Sequence, residues 1–223
     1  MKSLHHISIR SKFILALLPP ILALLWFSFS GVVERRSTEN EMIRMEKLIT
    51  LARDAGEYAH QLQRERGLSA GYFGSQGKNF GPELTTQRQA TDRAQQVLEQ
   101  TAANLSRAEL GDAVSEELGR ISQKMQQLGE HRRSVDSISI PVAQAIGYYS
   151  DSVSNLLNIV GDMAHLVSDG GIAQRLAAYY NLLNVKEQAG LERAVLSNTF
   201  SANSFATGMF ERLNQMVGRG DAY

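Results

Sequence analysis

The sequence predicts an all-α fold, with an N-terminal transmembrane helix followed by an antiparallel helical bundle. Three observations carry this prediction: an uncharged N-terminal stretch, apolar residues that recur at alternating spacings of three and four, and the lack of any β-branched alternating run. Apolar residues at such spacings fall on one face of a helix, which is the face that packs in a bundle. The 223 residues suffice for one large domain or two small ones.

The segment Phe13–Val33 contains 21 residues without a charge. About 20 apolar helical residues cross a bilayer core of roughly 30 Å. Since Lys2, Arg10 and Lys12 precede the segment, the positive-inside rule predicts a cytoplasmic N-terminus. We prefer an uncleaved anchor to the alternative, a signal peptide, because no clear small-residue cleavage site follows the segment. Residues 1–12 then form a cytoplasmic terminus, 13–33 the membrane helix, and 34–223 a domain on the far side of the membrane.

The composition excludes several functions for the predicted soluble domain. The residues after position 33 hold 20 basic and 23 acidic side chains, and this balance argues against a nucleic-acid-binding surface. The chain has no cysteine, which excludes disulfides, thiolate nucleophiles and cysteine-based metal sites. The five histidines are dispersed, and no catalytic or phosphate-binding motif occurs. We therefore expect no catalytic residues, no metal, no cofactor and no enzymatic activity.

Six helical segments are predicted beyond the membrane helix, separated by breaks that contain glycine, serine or asparagine. They span about 34–73, 82–105, 111–134, 141–169, 171–200 and 204–218. The stripe of the first is Met45, Leu48, Ala52, Ala55, Ala59, Leu62, Arg66, Ser69 and Phe73. Similar stripes run from Val114 to Val135 and from Ile146 to Val167. Counting by three and four predicts the packed face of the fifth segment as Ile172, Arg175, Tyr179, Leu182, Lys186, Ala189, Arg193, Leu196 and Phe200.

Two arginines stand out because each interrupts one of these apolar faces. Arg66 and Arg193 lie 127 residues apart in similar contexts, since segments 65–73 and 192–200 both begin with Glu-Arg and end with Phe. This short repeat suggests two related helical modules. A buried cation without a partner costs several kcal/mol, so something must compensate each charge.

Two explanations for these arginines stay open at this point. The first is a buried salt bridge, for which Glu57, Glu65 and Glu187 are candidates. The second is an anion site, because the planar fork of donors on a guanidinium matches a planar oxyanion. Two such forks from different helices would enclose one small anion.

Several segments resemble the nitrate- and nitrite-sensing (NIT) domain family. The segment 63–72, QRERGLSAGY, resembles the first signature of that family, and 186–194, KEQAGLERA, resembles the second. Residues between them also fit, in the family's order: Leu84, Gln87, Arg88, Thr91, Asp92, His131, Arg132, Arg133, Asp136 and Tyr149. The resemblance covers about residues 40–220.

The resemblance implies two stacked four-helix-bundle modules and ligand-controlled signalling by nitrate or nitrite. By motif match it assigns the anion to Arg66 and Arg193, with Arg64 as a weaker candidate two residues off the stripe. A further arginine of the family's site falls beyond Tyr223, so we expect the second module to be incomplete at its C-terminus.

The predicted function is that of the sensory domain of a bacterial receptor, of the chemotaxis type. It is expected in the inner membrane as a single-pass protein, with the sensor domain periplasmic and with the ligand at or near a homodimer contact. The anchor makes the family's RNA-binding antiterminators an unfavoured alternative, and no nucleic-acid partner is expected. The alternative from another class is a non-sensing, membrane-anchored helical interaction module or scaffold, with the arginines paired to glutamates.

Overall fold

The computed structural model describes residues 9–220, and every regular element in this range is helical, as predicted. The helices are α1 (Ile9–Gly74), α2 (Gly81–Ala103), α3 (Arg107–Asp136), α4 (Val142–Leu166), α5 (Gly170–Ala202) and α6 (Met209–Gly220). The predicted breaks coincide with the connections, and the first predicted soluble helix continues without interruption from the preceding segment. The expected arrangement in two stacked modules stays a prediction.

Local chemistry explains where these helices begin. Pro82 lies in the first turn of α2, where a missing N–H costs nothing. Ser106 begins α3 with a capping box, in which its side chain and that of Glu109 each accept a backbone N–H. Asp169 caps α5 by accepting the N–H of Ile172 at 2.8 Å. Pro141 precedes α4 as its cap residue, whereas the sequence predicted it within the first turn.

The chain divides into two compact units, residues 1–46 and residues 47–223. Large apolar side chains of the first unit, such as Leu24, Trp26 and Phe27, are exposed. Among the residues that the structure describes, no helix has the length and apolarity needed to span a membrane. The transmembrane helix predicted over 13–33 is therefore unsupported.

The predicted span and the described residues overlap only in part. The side chains of residues 14–16 and 32–33 lie outside the described residues. The predicted cytoplasmic terminus, 1–12, lies largely outside the described residues as well, because the description begins at Ile9.

The second unit contains the core. In its largest apolar cluster, side chains from residues 48–62 of α1 pack against α2, α3, α4 and α5. The stripe predicted for α1 is confirmed from Leu48 to Phe73, where each predicted side chain is buried. The stripe of α4 is also confirmed from Ile146 to Met163. These helices behave as the spacing predicts because one face of each is almost uniformly apolar.

The face predicted for α5 is wrong. Leu182 is 63% exposed and Phe200 is 79% exposed, although both were assigned to the core. The buried residues of α5 follow a neighbouring phase: Leu176, Leu183, Glu187, Gly190, Ala194, Val195 and Asn198. Apolar residues occur on both faces of this helix, and the buried face includes a carboxylate, a glycine and an amide. Periodicity therefore favours the wrong face.

The C-terminal ends of α1 and α5 approach closely at Gly74. A Cβ added there would lie 2.4 Å from the backbone oxygen of Asn198 and 2.7 Å from the Cβ of Ser201. Asn198 reinforces the crossing, because its side-chain amide donates to the carbonyl of Ala70 at 3.1 Å. The backbone of α5 thus fills the space that a side chain at position 74 would need.

Replacing Gly74 by alanine is expected to lower the free energy of unfolding by about 1–3 kcal/mol, since the backbones must separate. Gly67→Ala is the matched control, because no atom lies within 4 Å of its added Cβ. In a helix interior that change should stabilise by about 0.5–1 kcal/mol. Urea denaturation of both variants measures the difference. Equal effects of the two substitutions would contradict the close crossing.

Candidate functional site

Arg66 is completely buried and forms a two-pronged ion pair with Glu187 of α5. Its Nη1 donates to Oε1 of Glu187 at 2.5 Å, and its Nη2 donates to Oε2 at 3.0 Å. Nη1 also donates to the hydroxyl of Ser150 at 2.9 Å. Of the two explanations left open by the sequence, the structure shows the salt bridge for Arg66. Its partner is Glu187, which of the three candidate glutamates is the farthest from Arg66 in the sequence.

The surroundings of this pair leave the Nε–H of the Arg66 guanidinium without an acceptor among the described residues. Gln63 donates its amide to Oε2 of Glu187 at 2.8 Å, so the carboxylate accepts bonds from two residues of α1. The Nε of Arg66 is buried and has no hydrogen-bond partner among the described residues. Gly190 faces the pair, because a Cβ there would lie 3.0 Å from Nη2 of Arg66.

A second buried charge network begins at the neighbouring residue, Glu65. This carboxylate is fully buried and accepts two bonds from Arg132 of α3, at 2.7 and 2.9 Å. It also accepts the phenolic O–H of Tyr149 at 3.0 Å. Arg132 binds Asp92 of α2 at 2.6 Å as well. The network therefore connects four helices through one carboxylate and one guanidinium.

Two further side chains, Arg88 and His131, lie next to this network. Arg88 forms a two-pronged pair with Asp136, at 2.8 and 3.0 Å, and its Nε lies 3.8 Å from Glu65. The ring of His131 stacks on Tyr148 with 4.0 Å between centroids. Burial lowers the pKa of His131 to about 4, so this imidazole is neutral at pH 7. Sequence reasoning matched these positions to the family without assigning them a role.

Arg64 and Arg193, the other two predicted site residues, are both exposed. Neither forms an ion pair with any residue in the described part of the chain. Their helices are in direct contact near both positions, because Gln63 donates to Glu187 at 2.8 Å and Ser197 donates to the carbonyl of Gly67 at 3.3 Å. The pKa of His60 is lowered by its burial and then by the positive charge of Lys186. Arg64 and Arg193 act in the same direction, and the carboxylate of Glu57 opposes them.

Lys186, on α5, is subject to some of the same charges as His60. Its pKa is lowered by burial and by the charge of Arg193, while Glu57 and Glu187 oppose this shift. We call Arg64, Lys186 and Arg193 the cationic cluster; their charges act on His60, whose pKa is lowered. Residues predicted separately from two sequence signatures thus lie close enough to act electrostatically on the same imidazole. Lys186 was missed as a candidate because only arginines, with their planar fork of donors, were considered for the anion, although this lysine begins the second signature.

A recess with a volume of about 270 Å³ lies between α1 and α2. Its charged lining consists of Asp54, Glu57 and Arg93. Two carboxylates against one guanidinium disfavour an anion there. The cationic cluster is therefore the better candidate for a small anionic ligand.

The fold and these charged groups define a helical-bundle domain with an arginine-rich polar interior and an exposed cationic surface. The chain belongs to the nitrate and nitrite sensing (NIT) family, whose model matches residues 57–223. It is 29% identical over 198 residues to a nitrate regulatory protein of Klebsiella oxytoca, covering 88% of this chain and 48% of that protein. It also resembles the solved structure of the NasR transcription antiterminator, with a TM-score of 0.74, 25% identity, and coverage of 87% of this chain and 52% of that one. The chain therefore spans about half the length of these relatives.

These comparisons confirm the family resemblance and correct the predicted location. One relative is described as a regulatory protein and the other as a transcription antiterminator. No helix in the described range has the properties of a membrane span. The predicted localisation, a single-pass inner-membrane protein with a periplasmic sensor domain, is wrong. The chemotaxis assignment finds no support in these relatives, and the unsupported anchor no longer argues against an antiterminator.

Proposed function

We propose that this chain is a sensory domain that detects nitrate or nitrite through the cationic cluster on α1 and α5. The observation that carries the proposal is that Arg64 and Arg193, neither paired within the described residues, lie on helices in direct contact, through Gln63–Glu187 at 2.8 Å and Ser197–Gly67 at 3.3 Å. The charges of both arginines and of Lys186 act on His60. Membership in a family of nitrate and nitrite sensing domains supports the choice of ligand. A sensory role also agrees with the expectation of a non-enzymatic protein.

The chemistry of the cluster suits a small oxyanion. An exposed guanidinium keeps its full fork of donors, which matches two oxygens of a planar anion. Arg64 and Arg193 bind no carboxylate of the described residues, whereas both terminal nitrogens of Arg66 bind Glu187. In the state that the structure describes, the charge of Arg66 is therefore neutralised by Glu187. A ligand would contact the cationic cluster before it contacts Arg66.

A ligand transmits a signal only if it binds one packing arrangement better than another. The cluster spans two helices whose crossing is close, so an anion held by both changes the energy of their packing. Both relatives are about twice as long as this chain, and the output that such a change controls is outside this proposal. The expected homodimer stays a prediction.

Arg64→Ala and Arg193→Ala are each expected to weaken nitrate or nitrite binding by about 10- to 100-fold, the cost of losing hydrogen bonds to a charged group. Stability should change by less than about 0.5 kcal/mol, because both side chains are exposed. Isothermal titration calorimetry of the full chain at constant ionic strength measures binding of nitrate, nitrite, chloride and sulfate.

Arg133→Ala is the matched control, since Arg133 is also exposed but belongs to α3. It should leave nitrate affinity within about twofold of the unmodified chain. A folded chain that gives no heat with nitrate or nitrite would contradict the proposal. Equal losses in all three variants would show a nonspecific charge effect.

The alternative function, a helical interaction module, is favoured by one observation. Leu182, Val185 and Phe200 are exposed on α5 at 63%, 51% and 79%. The calorimetry separates the two functions, because a module without a sensory role binds no planar oxyanion in preference to chloride.

A further inference from the structure

We infer that Glu187 is a built-in competitor for the anion, so that a planar oxyanion reaches a second, interior position on Arg66 by displacing the Glu187 carboxylate. This inference rests on the proposed function, because it assumes that nitrate or nitrite arrives at the α1–α5 face. It adds a residue, Glu187, that controls access of the anion to Arg66, the position that the family resemblance assigned to the ligand. It also restores Arg66 as a ligand-binding residue, but only in a state in which Glu187 has moved.

The geometry of the ion pair matches that of a bound oxyanion. A carboxylate presents two oxygens in one plane to the guanidinium of Arg66, at 2.5 and 3.0 Å. Nitrite presents two oxygens with one negative charge in a similar arrangement, and nitrate does so along each of its edges. The position of the Glu187 carboxylate is therefore the position in which the fork of Arg66 would hold either ion.

The ion pair leaves part of the guanidinium of Arg66 unsatisfied. The Nε of Arg66 has no partner among the described residues although it is buried. A buried donor left without an acceptor costs free energy, so pairing with Glu187 does not satisfy every donor of Arg66. Gln63 donates to Glu187 at 2.8 Å and would be available to an oxyanion that takes the place of the carboxylate.

A displaced Glu187 has cationic neighbours on its own helix. Lys186 precedes it on α5, and the negative charge of Glu187 already raises the pKa of that lysine. Arg193, on the same helix, has no ion-pair partner among the described residues. The Glu187 carboxylate therefore gains cationic partners at the surface as the anion neutralises Arg66. The exchange leaves no charge buried alone, which is the condition that such an exchange must meet in a protein interior.

Gly190 leaves the pair open on the side of α5. An added Cβ would lie 3.0 Å from Nη2 of Arg66 and 3.9 Å from Oε2 of Glu187. The guanidinium thus lies against the bare backbone of α5. The interior subsite accordingly suits small, planar monoanions with two oxygens on one edge, whereas a spherical chloride or a tetrahedral, doubly charged sulfate matches it poorly.

Glu187→Gln tests the inference, because it removes the competing charge and keeps the shape. We expect nitrate, nitrite and formate to bind this variant at least about tenfold more tightly than they bind the unmodified chain, since the competent state no longer has to be opened. In chloride the variant should melt at a lower temperature, because Arg66 loses its counterion. Nitrate should raise that melting temperature far more than it raises that of the unmodified chain.

Glu130→Gln is the matched control, because it removes the same charge from an exposed position on α3. It should change neither the affinity nor the nitrate dependence of melting. The double variant Glu187→Gln/Arg66→Met should lose the gain in affinity, which locates the gain at Arg66. Glu187→Asp keeps the charge but shortens the side chain, and it should bind nitrate severalfold more tightly than the unmodified chain does. This variant tests the inference if Glu187→Gln does not fold.

The outcomes separate this inference from the proposed function. Unchanged nitrate affinity in Glu187→Gln, with melting temperatures equal in nitrate and chloride, overturns the competitor role and leaves the proposed function standing. Unchanged nitrate affinity in Glu187→Asp overturns the competitor role in the same way. A lack of nitrate and nitrite binding by every folded variant, including the unmodified chain, overturns both.

Discussion

Replacing Arg66 by alanine is expected to lower the free energy of unfolding by about 3–5 kcal/mol, the cost of breaking a buried ion pair by removing one partner. The exposed fraction is 0% for the Arg66 side chain and 9% for that of Glu187, so the orphaned carboxylate has little access to water. The substitution also leaves the amide of Gln63 bound to an uncompensated charge. Urea denaturation monitored by circular dichroism measures the loss.

Arg193→Ala provides the control within the repeated sequence pattern, since the same residue type there is exposed. Its effect on stability should stay below about 0.5 kcal/mol. The comparison also tests the repeat itself, which suggested equivalent roles for the two arginines. A loss below about 1 kcal/mol for Arg66→Ala would show that the pair contributes little, far less than a broken buried pair should cost. It would also remove the basis for a competition between Glu187 and an anion.

Glu65→Ala is expected to cost a similar amount, about 3–5 kcal/mol, because it removes the shared acceptor of the second network. The guanidinium of Arg132 would keep Asp92 as its one charged partner among the described residues, and the O–H of Tyr149 would lose its 3.0 Å bond to the carboxylate. Tyr149 is itself 0% exposed, so water does not readily replace that acceptor. Thermal and urea denaturation measure the effect.

A double-mutant cycle of Glu65→Ala with Arg132→Ala isolates the coupling between these two residues. We expect a coupling of about 1–3 kcal/mol, since the pair is two-pronged and partly shielded from water. Glu130→Ala is the control, because it removes an exposed carboxylate from the same helix as Arg132. Additive losses in the cycle would contradict the network and leave only the volume of the deleted side chains as the cause.

Much of the fold is predictable from the sequence because three helices have one clearly apolar face. In α1, α3 and α4 the counted positions are mostly the buried ones, as Leu62, Ile121 and Leu156 show with at most 1% exposure. The breaks between helices were also predictable, since proline, glycine and capping residues act locally. The membrane helix was inferred from a 21-residue stretch without charge and from the basic residues before it, but no helix among the described residues has the length and apolarity of a membrane span.

The candidate site was predictable only in part. The two signatures identified Arg64, Arg66 and Arg193 by residue type and spacing, and the structure places all three on α1 and α5. Spacing did not show that Arg66 is neutralised while Arg193 is exposed, because the partner of Arg66 lies 121 residues away. Nor did it single out Lys186, because only arginines were considered for the anion.

The sequence by itself determined the helical class, the order of the elements, the family and the burial of Arg66, since each depends on local patterns or on motifs. The tertiary structure alone decided which face of α5 is buried and which carboxylate meets which arginine. The physical reason is that α5 has apolar residues on both faces, so packing against α1 and α4 selects one of them. That selection buries Glu187 against Arg66 and leaves Arg193 at the surface with Arg64.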